Sequence, residues 1–270
     1  MKKIFCKLLR RTRILKLWAL GGVSLLAQAA DGDDTLRTGG ELRVCIWPHY
    51  YSISWRNPYS GALSGLDIDM ARYFAQELKR PLRFVDSDFE QLVNDVQQGR
   101  CDIAMFGIGM TPARQKQLAF SQSYLASDIY AITTRHHPLI KRWEDIDQAG
   151  VVVAVQQGTL MEHVMRERLQ AAKLQVVKAP NTREAELEAG RADVFMTDYP
   201  YSRRVFNQVD WAVLLTPTKP FHITQYAYAV KQDNPVWLAR VNQFLSAAKR
   251  DGRLQAAALR HGLERIVVGE

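Results

Sequence analysis

Arg114 stands five residues after the last glycine of an apolar run, Cys101-Asp102-Ile103-Ala104-Met105-Phe106-Gly107-Ile108-Gly109, and closes the block Thr111-Pro112-Ala113-Arg114. An apolar run ending in glycines reads as a buried strand that empties into a loop. Parallel sheets place ligands outside the carboxyl ends of their strands. A guanidinium held there can grip a carboxylate with two parallel hydrogen bonds. The chemistry on offer is capture of a small acid. Three further blocks accompany this one: Gly65-Leu66-Asp67-Ile68-Asp69-Met70-Ala71, Ala119-Phe120-Ser121-Gln122-Ser123-Tyr124 and Val155-Gln156-Gln157-Gly158-Thr159.

Other chemistries lack their signatures. The sequence has no Gly-x-Ser-x-Gly elbow and no phosphate-cradling Gly-Lys-Ser/Thr loop. Its histidines, cysteines and acids show no metal-ligand spacing, and the adjacent His136-His137 cannot share one face of a helix or strand. No cofactor or metal is expected.

The elements that must position Arg114 follow an alternating order. Leu42–Ile46 reads as a strand, followed by an aromatic-rich loop from Trp47 to Tyr59. Residues 68–78 have the apolar spacing of an amphipathic helix, which Pro81 stops. Leu82–Val85, a helix over Asp88–Gln98 and Cys101–Phe106 complete a strand-helix-strand-helix-strand series, the mark of right-handed parallel crossovers. The series repeats from Gly150 to Met196. A last strand, Gln225–Val230, and helices over Pro235–Lys249 and Leu254–Leu263 come too late for the second unit and are expected to return to the first. The order predicts two α/β lobes, each a mainly parallel sheet flanked by helices. Lobe 1 would be residues 38–132 plus 225–267, lobe 2 residues 133–224, with two hinge crossings and a cleft between them.

The N-terminus reads as a cleavable export signal over residues 1–29. Seven basic residues precede or open an 11-residue apolar stretch, Leu17–Ala27, too short to span a bilayer as a helix. Ala27-Gln28-Ala29 supplies the small residues of a cleavage site. Removing seven basic and no acidic residues from a chain of net charge +8 leaves +1. No basic block then remains to attract nucleic acid or anionic lipid. Cys45 and Cys101 survive export into an oxidising compartment. Both sit in apolar strand-like runs, which favours buried free thiols over a disulfide between them.

Taken together, Gly40-Glu41-Leu42-Arg43-Val44, Gly65-Leu66-Asp67-Ile68-Asp69, Asp102-Ile103-Ala104, Thr111-Pro112-Ala113-Arg114 with Phe120-Ser121, Gln157-Gly158-Thr159 and Ala192-Asp193-Val194 followed by Asp198 resemble the family 3 extracellular solute-binding proteins, amino-acid receptors of ABC transporters. The resemblance covers nearly the whole mature chain. It implies a type II periplasmic binding-protein clamshell, a periplasmic monomer, a small-molecule ligand (an amino acid or small carboxylate) and a membrane permease as partner. It also implies that Arg114 binds the ligand α-carboxylate, that Thr159 and its N–H close on the same group, and that Asp198 takes the ammonium. Tyr50 and Phe89 would sandwich the ligand side chain, with Phe106 and Gly107 contacting its amino group. Capping a helix is the plainer role for Thr159 and Asp198.

The sequence departs from that pattern in places. Gly109 stands where such receptors commonly carry Ser or Thr, so a hydroxyl contact is lost and room is gained. Trp47 occupies the loop position where binders of cationic amino acids use an acid, which disfavours a basic ligand side chain. Cyclohexadienyl dehydratases also resemble the second lobe and the segment from Lys219-Pro220-Phe221. In them a glutamate, three residues beyond the Asp of the Thr-Asp pair, acts as general acid. Here the pair is Thr197-Asp198, and that position is Tyr201. A phenol of pKa about 10 is poorly matched to protonating a leaving hydroxyl near neutral pH, so the chain is expected not to be an enzyme. A sensory or accessory receptor unconnected to transport would use the same binding chemistry.

Overall fold

The computed structural model describes residues 40–269; the expected signal peptide lies outside them. In the first half, β1 (Leu42–Ile46) is followed by a small antiparallel sheet of β2 (His49–Tyr50), β3 (Ser54–Arg56) and β4 (Leu63–Ser64). Then come α1 (Leu66–Leu78), β5 (Leu82–Asp86), α2 (Leu92–Gln97), β6 (Ile103–Gly109), α3 (Pro112–Gln115), β7 (Ala119–Phe120) and β8 (Leu125–Ser127). The second half holds β9 (Ile129–Thr134), β10 (Val152–Gln156), α4 (Leu160–Arg168), β11 (Lys173–Val177), α5 (Arg183–Glu188), β12 (Val194–Asp198), α6 (Tyr199–Gln208) and β13 (Ala212–Leu215). β14 (Thr224–Val230), α7 (Pro235–Arg250) and α8 (Arg253–His261) close the chain.

Two large sheets result, ordered β5-β1-β6-β14-β7 (with β8 on β14) and β11-β10-β12-β9-β13. In each, the first three strands are parallel, as the crossover pattern requires. The strands that carry the chain between lobes, β9 and β14, enter antiparallel, so each sheet is mixed beyond its parallel half. β14 returns to the first sheet, and α8 packs on α1 and α7 there. The first crossing falls at Asp128, between β8 and β9, earlier than the 132/133 boundary read from the sequence, because all of β9 pairs in the second sheet. The Asp128 carboxylate accepts the N–H groups of Phe221 and His222 at 2.9 and 2.7 Å, tying the two crossings together.

Helix α1 shows how local sequence sets this architecture. Ile68, Met70, Ala71, Phe74 and Ala75 form its buried stripe. It begins after Gly65, whose φ of 135° is open to glycine and where a Cβ would lie 2.2 Å from the Ile53 carbonyl oxygen. Asp67, in its first turn, is fully buried. It accepts hydrogen bonds from Tyr124 Oη (2.6 Å), Tyr228 Oη (3.0 Å) and the Gly107 N–H (2.9 Å). The motif carboxylate is thus a support beneath the end of β6.

Burial pushes the Asp67 carboxyl up from 3.8 to about 7, against the three donors, which favour its ionised form. Between those values the folded chain holds a proton that the unfolded chain has released, so this group's contribution to stability is fully present below pH 3.8 and declines as pH rises towards 7. Asp67→Ala strands buried donors and is expected to cost about 1–3 kcal/mol. Denaturant midpoints of both proteins across pH should show the deficit largest at the acid end of that window.

Cys45 and Cys101 form a disulfide, with Cα atoms 5.5 Å apart. This corrects the expectation of free thiols. Cys101 lies just before β6, which pairs directly with β1 and so brings the two thiols together. Matching carboxylates brace the two sheets: Asp102 accepts the Arg43 N–H at 2.8 Å, and Asp193 accepts the Val152 N–H at 2.7 Å. These Ala-Asp and Cys-Asp motif acids hold strands together and do not face the cleft.

Candidate functional site

Between the lobes, strand ends and helix starts line a cleft. Arg114 enters it from α3, where Thr111 Oγ1 accepts the Arg114 N–H at 3.2 Å and Pro112 opens the turn. Arg114 is 9 % exposed. Its Nη1 donates to the Gly109 carbonyl (3.1 Å), and its Nη2 reaches across to the Gly158 carbonyl of the other lobe (2.9 Å). It lies 5.3 Å from the centroid of the Phe89 ring. No carboxylate pairs with it among the described residues. Burial lowers its pKa to about 10, still far above neutral pH, so it stays a cation in need of a counter-charge.

Asp198 ends β12 on the opposite side. Its Oδ1 accepts the Tyr201 N–H at 3.0 Å and so caps α6, while Oδ2 accepts from Tyr226 Oη (2.6 Å) and from Tyr50 Oη. Burial, with the Asp198 charge next, pushes both phenols well above their usual range, so they remain donors. Capping therefore occupies one carboxylate oxygen, and the other lies among cleft side chains. Tyr50 comes from lobe 1, so this hydrogen bond spans the lobes.

Thr159 lines the cleft at the start of α4, in the N-cap position. Its hydroxyl donates to the Gln156 carbonyl (2.7 Å) and makes no cap bond. The approach of the two lobes depends on Gly158. Its φ is +75°, and a Cβ there would fall 2.8 Å from Glu90 N. Gly158→Ala is expected to hold the lobes apart and weaken ligand affinity about tenfold or more, since strain at this φ alone is worth about 1–2 kcal/mol. Calorimetry and circular dichroism would show the lost affinity in a chain that still folds.

Aromatic rings form the wall. Trp47 lies 5.3 Å from Phe89 and 5.4 Å from Tyr50 (centroid distances), and stacks across the lobes on Tyr201 with 12° between planes. Of the residues named from sequence, Trp47, Tyr50, Phe89, Gly107, Gly109, Arg114, Thr159 and Asp198 all line the cleft. Phe106 does not. It is fully buried behind Phe89, 5.1 Å between centroids, because successive residues of β6 point to opposite faces and Gly107 takes the cleft side. The room expected at Gly109 is filled, since a Cβ there would meet Thr224 Cγ2 at 3.0 Å. Leu160, Met161, Arg183, Tyr201 and Tyr226 also line the cleft and were not named as site residues. Tyr226 reaches the cleft from β14, where it pairs with Gly109, and no local pattern in the sequence marks it. Arg183 carried no local signal.

The model of the bacterial extracellular solute-binding proteins, family 3, matches residues 42–264. Cyclohexadienyl dehydratase of Pseudomonas aeruginosa is 32 % identical over 98 % of this chain and 97 % of its own length. The glutamine-binding protein of a Bacillus subtilis ABC transporter is 26 % identical over 73 % of this chain and 72 % of its own. Among solved structures, an ancestral amino acid-binding protein described as a precursor of cyclohexadienyl dehydratase shares 30 % identity and a TM-score of 0.74, over 82 % of this chain and 95 % of that one. The Pseudomonas relative is an enzyme, and it overturns the expectation, drawn from Tyr201, that this chain is not one.

Proposed function

The chain belongs to the bacterial extracellular solute-binding proteins, family 3, and from that membership we propose that it captures an amino acid in the periplasm for uptake by an ABC transporter. The observation that carries this reading is Arg114, a buried guanidinium with no acidic partner among the described residues, facing a cleft that also holds the buried carboxylate of Asp198. An α-amino acid presents the complementary pair of charges. Its carboxylate would take Arg114 and the N–H groups opening α4, where the helix dipole favours an anion. Its ammonium would meet Asp198 Oδ2 beside the phenols of Tyr50 and Tyr226. The aromatic wall of Trp47, Phe89 and Tyr201 would cover its side chain. Glutamine binding by the Bacillus subtilis relative supports the ligand class and the transport partner.

Thermal-shift screening of the secreted form against amino acids and small carboxylates tests it. A ligand that binds only the folded state stabilises by about 2.7 kcal/mol at a hundredfold excess over its dissociation constant. Plain dicarboxylates raising the midpoint as much as amino acids would remove the ammonium from this account. A membrane permease encoded beside the gene, and retained on the liganded protein in a pull-down, would support transport over sensing.

The dehydratase relative favours a second reading, in which the same cleft dehydrates a cyclohexadienyl acid. Tyr201 occupies the acid position, and burial, with Glu184 beside it, pushes its phenol up to about 12. Glu184 is then the nearby carboxyl to test as proton source. On this reading prephenate or arogenate is consumed by purified protein, and Glu184→Gln slows turnover more than Tyr201→Phe.

A further inference from the structure

We propose that the ligand carries a second, distal carboxylate, and that Arg183 binds it. This deepens the amino-acid reading above and rests on it. Arg183 opens α5, a place where an arginine normally reaches solvent, yet it is 3 % exposed and lines the cleft. Its guanidinium sits 4.4 Å from the centroid of the Tyr201 ring and 5.4 Å from that of Phe195. Nη1 donates to the Met196 carbonyl at 2.6 Å. Nε is buried and has no hydrogen-bond partner among the described residues.

No carboxylate lies within ion-pairing distance of Arg183 among the described residues. Glu184, next in sequence, lies against the Tyr201 phenol but does not line the cleft; it lines a neighbouring surface cavity with Arg204, Glu188 and Trp211. The charged side chains lining the cleft are therefore Arg114, Arg183 and Asp198, two cations against one anion. An amino acid with a neutral side chain satisfies Arg114 and Asp198 and leaves Arg183 buried with no carboxylate in contact, the nearby Glu184 being set against the Tyr201 phenol instead. An amino dicarboxylate matches all three groups. The same balance accounts for Trp47 in place of an acid, since a cationic side chain would enter beside Arg183. Tyr201 Oη, in contact with Arg204 Nη1 at 3.2 Å, offers a further polar group next to the site.

Calorimetry with L-aspartate, L-glutamate, L-2-aminoadipate, L-glutamine and glutarate tests this. Wild type should bind at least one amino dicarboxylate about 100-fold or more tightly than glutamine, and Arg183→Gln should weaken that complex about 30-fold or more and glutamine by much less, so that the preference collapses. Arg183→Lys keeps the charge without the planar fork and should fold and retain part of the preference. The proposal is overturned if wild type favours glutamine, if none of the five binds, or if Arg183→Gln weakens glutamine and the acids alike. Glutarate binding as tightly as glutamate would overturn the amino part. Failure of the underlying reading looks different: there, Arg114→Ala leaves every affinity unchanged.

Discussion

Arg114→Ala is expected to lower affinity for the amino acid ligand by about 2–5 kcal/mol, roughly 30-fold to several thousand-fold, with the fold intact. The guanidinium is buried, lacks an acidic partner among the described residues, and already spends donors on the Gly109 and Gly158 carbonyls. Its fork can then present its remaining donors to a carboxylate while holding both lobes. Alanine removes the counter-charge and the interlobe bond together. Arg114→Lys should do nearly as badly, because an ammonium is a point charge that cannot donate to two carbonyls and a carboxylate in one plane. Titration calorimetry reads both variants. Affinity within threefold of wild type in Arg114→Ala would remove the carboxylate from this cleft.

Replacing both cysteines, Cys45→Ala with Cys101→Ala, is expected to lower stability by about 2–5 kcal/mol, the cost typical of deleting a native disulfide. The bridge spans 56 residues of sequence, so it closes a loop containing α1, β5 and α2. Freeing that loop enlarges the unfolded ensemble, and two small cavities open in a packed strand pair. Denaturant unfolding of wild type with and without reductant should reproduce most of the same loss. Two thiols titrating in unreduced, unfolded protein would show that the pair does not form. Ligand affinity should change little, because neither cysteine lines the cleft.

The site was legible where its residues end strands. Arg114, Gly107, Gly109, Thr159 and Asp198 follow apolar runs that mark strands in the sequence, and strand ends are where such sheets bind ligands. Phe106 was misplaced because the run around it is apolar on both faces. The alternation that separates the buried Phe106 from the cleft-facing Gly107 is silent in such a run. Arg183 and Tyr226 were illegible for another reason. They reach the cleft from the start of α5 and from β14, elements brought there by the crossings and not by any local pattern. The disulfide was missed likewise, since the 5.5 Å between its Cα atoms is set by strand pairing across 56 residues. The first crossing was placed late because β9 has the same β-rich composition whichever sheet it joins.

Asp198 and its phenols carry a dependence that the sequence did not show. Two tyrosines from lobe 1, Tyr50 and Tyr226, donate to this lobe 2 carboxylate, so the group that would read the ammonium is also an interlobe contact. Asp198→Asn should therefore weaken both the ligand complex and lobe closure, and Tyr50→Phe closure more than ammonium binding.

The most direct measurement is a crystal structure of the protein with the tightest amino acid from the screen. The account predicts the α-carboxylate bidentate on Arg114 and within hydrogen-bond distance of the N–H groups at Thr159, with the ammonium on Asp198. A ligand whose carboxylate lies away from Arg114, or one bound outside the cleft between the lobes, would contradict it.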